Sequence, residues 1–345
     1  MAQTAHKDQI HHDLAGEDIL HSDDTRFIEY RRKWVENPKN LDHGEFPLHL
    51  DIEVTSSCNL KCPFCATTYS KFNNGYMKWE TAKKILDEAG EKGLYACKFN
   101  FRGEPLLHKE LGSFIKYAKD KGIIDVFFNT NAVFLTEEKA RMLIDTGLDR
   151  LTISFEGFDK TVYERNRVGA NFEEVVANIE RLRSLRDKLG VSKPKIRVQT
   201  VLIPELKDLM DDYVAFWEDR VDQVSYNDME PSVDTVSERT KQVKSSWICP
   251  FPYQRMTIMW DGTVTACKND YFGKLAMGNV NSMSISNCWV NSLESLRKLH
   301  RSGRIDEVDA CMECPLRMHE LVKIGAKEHK SELINNVSLK DTKSD

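Results

Sequence analysis

The sequence predicts an α/β protein: a partial (β/α)6 TIM barrel followed by a small module of one β-hairpin and one helix. Three observations carry that expectation. Apolar alternation and helical periodicity take turns for about six rounds over residues 47–227, the pattern of a parallel sheet with helices outside. Beyond Asn227 the pattern breaks into a polar stretch holding Pro231, and a hairpin signal follows. Seven of the nine cysteines fall into two groups, one behind the first barrel strand and one in the later module.

Taken in order, residues 1–46 are polar, rich in His and Asp, and read as a lead-in with one helix around Arg26–Val35. Leu48, Leu50, Ile52 and Val54 then alternate with other residues, the period of two that marks a strand. Trp79, Ala82, Ile85, Leu86 and Ala89 share one face of a helix over Lys78–Lys92. Further strands are expected at Cys97–Phe101, Asp125–Asn129, Arg150–Phe155, Lys195–Ile203 and Gln223–Asn227. Helices are expected at Leu111–Lys119, Glu137–Thr146, Phe172–Leu189 and Leu206–Asp219. Six steps are too few to close an eightfold barrel, and in β/α barrels the carboxyl ends of the strands carry the chemistry. Residues 47–228 are therefore assigned to the barrel, with Asp228–Ser246 a linker. Met256–Trp260, the Asp261-Gly262 turn and Thr263–Cys267 read as a hairpin. With a helix at Ser292–Arg301 they make a second module over 247–320, and 321–345 read as a polar tail.

Composition removes several function classes. The balance of 49 Lys and Arg against 54 Asp and Glu gives a net charge of −5, with no basic stripe for nucleic acid and no polybasic membrane anchor. The apolar runs are short, Ile123–Phe128 being interrupted by Asp125, and fall far short of a membrane span. The amino terminus, MAQTAHKDQIHHD, lacks the apolar core of a secretory signal. An odd cysteine count in a large chain without an export signal argues against a disulfide framework. It leaves metal or cluster ligation in a reducing cytoplasm as the expectation.

The stretch Cys58-Asn-Leu-Lys-Cys62-Pro-Phe-Cys65 falls just past the first barrel strand. Three thiolates in one short loop suit three irons of a [4Fe–4S] cube, and the fourth iron has no local cysteine. By analogy with zinc sites, an open coordination position marks a catalytic centre rather than a structural one. A zinc knuckle would want a fourth Cys or His nearby, and Tyr69 and Lys71 are neither. The loop resembles the signature of the radical S-adenosylmethionine (SAM) superfamily, C-x3-C-x-aromatic-C, with Phe64 in the aromatic slot.

Three more stretches carry the same resemblance, each at the end of an expected strand. Arg102-Gly103-Glu104-Pro105-Leu106 resembles the family's glycine-glycine-glutamate-proline segment, which receives the methionine ammonium of SAM. Arg102 stands where the first glycine would be, so Gly103, Glu104 and Pro105 carry over. Asn129-Thr130-Asn131 and Ile153-Ser154-Phe155-Glu156-Gly157 resemble the next two strand ends, which implies that Asn131 and Ser154 face the SAM ribose or the substrate. Arg167 sits where related enzymes place a basic residue. The resemblance thus implies a SAM-binding [4Fe–4S] cluster on Cys58, Cys62 and Cys65, with Phe64, Gly103, Glu104, Pro105, Asn131, Ser154 and Arg167 around the cofactor.

Cys249, Cys267, Cys311 and Cys314 form the second group. Four thiolates fit a fully ligated site, and spacing alone leaves a [4Fe–4S] cube and a four-cysteine zinc site equally open. The surrounding text, Trp260-Asp-Gly-Thr-Val-Thr-Ala-Cys267 with Met277-Gly-Asn-Val280 and Trp289, resembles the SPASM/Twitch module, which implies an auxiliary cluster. No cysteine follows Cys314, so the shorter Twitch form with one auxiliary [4Fe–4S] cluster is the better match. Cys97 and Cys288 occupy apolar slots and read as core residues. His6, His11, His12 and His21 read as solvated polar residues rather than metal ligands.

The arrangement resembles that of 2-deoxy-scyllo-inosamine dehydrogenase-like enzymes. It implies reductive cleavage of SAM to a 5′-deoxyadenosyl radical, hydrogen abstraction from an alcohol carbon, and an auxiliary cluster that accepts the remaining electron. The implied partners are a small polar substrate (a sugar, an aminocyclitol or a nucleotide-linked sugar) and a reductant such as flavodoxin or ferredoxin. Relatives of this type also modify peptides, epimerise and decarboxylate. Peptide-modifying relatives often carry an amino-terminal leader-binding domain of about 80 residues, and only some 46 precede the first strand here, which favours the small substrate. No residue stands out as the base for the hydroxyl proton; Arg102, Glu156, Arg167, Tyr226 and Asp228 all lie at expected strand ends. The alternative of a different class is a non-catalytic zinc or iron–sulfur electron-transfer protein.

Overall fold

The computed structural model describes residues 11–16, 18–227, 247–312, 314, 316–318 and 320, and in it the alternating segments become neighbours in one sheet of ten strands. The elements are β1 (His11–Gly16), α1 (Thr25–Asn40), β2 (His49–Ile52), α2 (Ala66–Tyr69), α3 (Trp79–Glu91), β3 (Ala96–Lys98), α4 (Leu111–Asp120), β4 (Asp125–Thr130) and α5 (Glu137–Asp145). They continue with β5 (Arg150–Ser154), α6 (Lys160–Asn166), α7 (Phe172–Lys188), β6 (Lys195–Val201), α8 (Met210–Trp217), β7 (Gln223–Asn227), β8 (Arg255–Ile258), β9 (Thr263–Thr265) and β10 (Ala276–Asn279). The expected linker from Asp228 to Ser246 lies outside the described residues, as does the tail over 321–345.

Strands β2 to β7 lie side by side in chain order and run parallel, the partial (β/α)6 barrel the sequence predicts. The period of two sorts their residues onto two faces. One set, including Leu50, Ile52, Val126, Phe128, Leu151, Ile153, Ile196, Val198 and Val224, is apolar and fully buried. Each such side chain contributes about 1.5–3 kcal/mol through its removal from water. The other set, including His49, Asn129, Thr152 and Gln199, lines an interior cavity. A closed eightfold barrel fills that space with branched apolar side chains; here the interior is polar.

The residues read as a polar lead-in belong to the same architecture. Strand β1 pairs antiparallel with β7, and His12 stacks on Tyr226 with ring centroids 4.4 Å apart. Helix α1 is capped by Asp24, whose carboxylate accepts from the backbone N–H groups of Arg26 and Phe27. It packs Phe27, Tyr30 and Trp34 with Leu48 and Ala96, at the amino ends of β2 and β3. On the other edge, β8 runs parallel to β2, and β9 and β10 follow antiparallel, so the hairpin joins the barrel's own sheet.

The chain divides into two compact units, residues 1–229 with 250–294 and residues 230–249 with 295–345. The whole sheet belongs to the first. In the second, the structure describes most of the helix Glu294–Arg301, a 3-10 turn at Ile305–Glu307 and a short helix at Asp309–Met312. Cys97 and Cys288 are fully buried, as core residues should be, and burial pushes both thiols up, Cys288 to about 11. Among the described residues no helix is long and apolar enough to cross a membrane.

Candidate active site

The loop after β2 is held by hydrogen bonds that leave its thiols on one cavity. Thr55 bridges to Tyr76, the Cys65 N–H donates to the Cys62 carbonyl at 3.1 Å, and the Thr68 hydroxyl donates to the same oxygen at 2.8 Å. The Lys61 N–H donates to Val168 at 3.0 Å, which ties the loop to the segment behind Arg167. Cys58, Cys62 and Cys65 all line a cavity of about 300 Å³ at the carboxyl ends of β3, β4 and β5.

Gly103 explains how the next loop reaches that cavity. Its φ is +68°, and a Cβ there would stand 2.4 Å from the Thr55 carbonyl oxygen, so only glycine tolerates both the conformation and the approach. The Glu104 N–H then donates to Ser57 at 2.8 Å. The Glu104 side chain is 2% exposed. One of its oxygens accepts from the Thr130 hydroxyl at 2.7 Å and the Leu106 N–H at 3.0 Å, the other from the Asn131 N–H at 2.8 Å. Burial raises its pKa, and the N–H groups of Asn131 and Leu106 oppose that rise. Glu104 is thus a clasp between two strand ends as well as an acid on the cavity wall. Asn131 donates from its amide to Asn59 at 2.9 Å, which fastens the same strand end to the thiol loop.

Arg167 supplies the positive charge. Its guanidinium forms a two-pronged pair with Glu156, with 2.7 Å from Nη2 to Oε1, and Nη1 lies 3.7 Å from Cys62 Sγ. Burial opposes the charge on Arg167, but Glu156 overrides it and raises the pKa. Burial likewise raises the Cys62 thiol, and Arg167 pulls it back toward the thiolate. The Phe64 ring sits 5.5 Å from the Arg167 guanidinium carbon. Phe64, Gly103, Glu104, Asn131, Ser154 and Arg167 all line the cavity. Pro105 does not; it is buried and opens the 3-10 turn Pro105–Leu107 that Glu104 caps.

Two contributors, Glu53 and Tyr271, belong to none of the sequence motifs. Glu53, completely buried at the end of β2, receives Arg102 in a two-pronged pair at 2.6 and 2.8 Å. Arg102 also donates to the Tyr271 carbonyl at 2.8 Å, and the Tyr271 ring stacks on Phe101 at 5.5 Å. The departure from glycine at position 102 therefore anchors the cavity wall to the turn beyond β9. An acid inside the apolar stretch Leu48–Val54 is the available signal for Glu53; Tyr271 has none.

The residues present fit an iron–sulfur cluster. Three thiols on one loop face one cavity, with a fixed guanidinium beside one of them to offset thiolate charge. Among the described residues, no three His, Cys, Asp or Glu side chains gather as tightly as a single metal ion demands. In the later group, the Cys267 sulfur accepts the Asn269 N–H at 3.3 Å, a contact that favours a thiolate. Asp270 organises that turn by accepting from Thr265, Lys274 and Leu275. In the second unit, Cys311 lies on the helix Asp309–Met312, and the Cys314 N–H donates to its carbonyl at 3.4 Å. None of the nine cysteines forms a disulfide.

Comparison with known proteins matches residues 52–215 to the radical SAM superfamily and residues 249–315 to the SPASM iron–sulfur cluster-binding domain. The chain is 24% identical over 315 residues to a tungsten-containing aldehyde ferredoxin oxidoreductase cofactor-modifying protein of Pyrococcus furiosus, a match covering 78% of this chain and 87% of that one. It is 34% identical over 131 residues to a probable GTP 3′,8-cyclase of Methanococcus maripaludis, covering 38% of this chain and 43% of that one. In fold it is similar to BtrN in complex with AdoMet and 2-DOIA, at TM-score 0.52 and 23% identity over 77% of this chain and 92% of that one. SuiB of Streptococcus suis bound to S-adenosylmethionine has TM-score 0.58 at 15% identity, covering 81% of this chain and 74% of that one.

Proposed function

We propose, from the premise that this chain is a radical SAM enzyme with an SPASM domain and the SAM-binding and auxiliary clusters these imply, that it oxidises an alcohol carbon of a small sugar-like substrate. When bound, SAM and the clusters supply a radical that removes a hydrogen atom from the substrate and a sink for the electron left behind. The chain's own part is to bind and orient. Cys58, Cys62 and Cys65 would hold the SAM-binding cluster; Cys249, Cys267, Cys311 and Cys314 would hold the auxiliary one. Arg167 fixes charge beside Cys62, and Glu104 with Asn131 keeps three loops in register around the cavity.

One observation carries the substrate reading. The barrel interior is polar and meets the thiol cavity at Asn129, which lines both. Asn129, Thr152 and Gln199 present amides and a hydroxyl along that passage, groups that recognise hydroxyl-rich molecules. The likeness to BtrN, solved with AdoMet and 2-DOIA, supports the same class. A flavodoxin or ferredoxin would deliver the reducing electron, and an odd cysteine count with ligand-like spacing favours a reducing cytoplasm.

Candidate alcohols deuterated at the carbinol carbon test this in anaerobically reconstituted enzyme. Deuterium should appear in 5′-deoxyadenosine, with one SAM consumed per ketone formed. Label transfer from a peptide, or a product at the oxidation level of its substrate, would overturn the dehydrogenase reading.

A further inference from the structure

The interior cavity has a charge that the alcohol chemistry does not explain. It measures about 200 Å³, several times the share of about 30 Å³ that one water takes in the liquid. Among the described residues it is lined by six cationic side chains, Arg31, Lys98, Arg150, Arg197, Arg255 and Lys268, and by no carboxylate. Two of the six are neutralised from behind. Arg150 forms a two-pronged pair with Asp125 at 2.8 and 2.7 Å, and Arg255 pairs in the same way with Asp51.

Arg197 is different. It is 7% exposed, its Nε donates to the neutral amide oxygen of Gln223 at 2.5 Å, and its Nη2 has no hydrogen-bond partner among the described residues. It has a long ion pair to Asp13, with Oδ1 3.7 Å from Nη2, which leaves Nη2 without a hydrogen bond. Burial and the neighbouring Arg150 push this guanidinium down to about 10. A buried charged donor left without an acceptor is costly, and an oxyanion in the cavity would relieve it.

We infer that the barrel interior binds an oxyanion carried by the substrate, a phosphate or carboxylate seated on Arg197, with Lys98 and Lys268 reaching the same cavity. This rests on the reading of the passage as the substrate's, and it narrows that class. A phosphorylated or nucleotide-linked sugar fits, whereas a cationic aminocyclitol meets lining cations and no lining carboxylate. The anion would lie toward the amino ends of the strands, leaving the alcohol carbon near Asn129 and the thiol cavity.

Calorimetric titration of the reconstituted holoenzyme with inorganic phosphate, and separately with malonate, tests the inference without turnover. At least one should bind saturably; phosphate alone assigns a phosphoryl group and malonate alone a carboxylate. Arg197→Gln should weaken that binding about tenfold or more, the loss of one charge-assisted hydrogen bond, and Arg197→Lys should restore part of it. Lys98→Gln gives an independent reading should Arg197→Gln fail to fold, with a several-fold loss expected. Binding of neither anion, or binding unchanged in the folded variants, would overturn the inference. Anion binding without any alcohol oxidation would instead overturn the earlier reading alone.

Discussion

His49 shows what one residue at the mouth of β2 costs. It is 2% exposed, its Nε2 lies 3.4 Å from Asp51 Oδ1 and 3.3 Å from Arg255 Nη2, and its Nδ1 has no hydrogen-bond partner among the described residues. Burial, helped by Arg255, pushes its pKa down to about 4, against about 6.5 in an unfolded chain. Between those values the unfolded state holds the extra proton, so this group's contribution is present in full above about 6.5 and is lost as pH falls toward 4. The ceiling is about 3 kcal/mol. Burial also pushes His300 down to about 4, so it adds a similar slope in the second unit. Burial lowers His108 as well, so His49→Gln should remove part, not all, of the stability lost between pH 6.5 and 4.5, measured by urea unfolding at several pH values. Parallel curves for parent and variant would show that His49 does not titrate there. The buried acids Asp51 and Asp125 do not confuse the window: burial works against their charge, but Arg255 and Arg150 hold both below the usual carboxylate range. None of this was legible at position 49, where an alternating strand showed only a polar residue in an inward slot.

At the scale of elements, residues with period and caps were read well and residues held by pairing were not. Helix α3 was expected over Lys78–Lys92 and runs Trp79–Glu91, because five apolar side chains mark one face. Strand β7 lies where expected, at Gln223–Asn227. Strand β1 escaped because His11–Gly16 is an edge strand fastened by backbone pairing and one stacked ring, which leaves no apolar alternation. Helix α6 escaped because its seven residues bury only Tyr163 and Asn166. Helix α1 reads in the sequence as a short piece of a lead-in, yet it packs three aromatic rings on the amino ends of β2 and β3. That gives it a measurable weight. Phe27→Ala should cost about 3–5 kcal/mol of unfolding free energy, and Asp24→Ala, which removes the cap, about 1 kcal/mol. Because Phe27 does not line the interior cavity, phosphate affinity should be unchanged in the folded fraction. A loss below about 1 kcal/mol for Phe27→Ala would mean that α1 is not part of the cooperative unit.

Over the whole molecule, the first cysteine group is the most legible feature, because its ligand spacing is a local property and the barrel only has to deliver one loop to a strand end. The wall opposite was less legible, since Glu53, Arg102 and Tyr271 meet only through folding across about 170 residues. The two cysteine groups should also be separable in the intact protein. Each fully assembled [4Fe–4S] cube brings four irons, so reconstituted enzyme should hold about eight irons per chain. Replacing Cys58, Cys62 and Cys65 together by Ala should leave about four and abolish 5′-deoxyadenosine formation, because the open iron that SAM needs is gone. Cys311→Ala should also lower the iron toward about four, but SAM cleavage should persist while ketone formation falls much further. Iron analysis with the electron paramagnetic resonance of the reduced clusters distinguishes the two variants before any turnover is measured. Equal loss of SAM cleavage and product formation in Cys311→Ala would remove the electron-acceptor role from the later group. Zinc at that group, with iron confined to the first, would leave the radical chemistry in place and require another route for the substrate's electron.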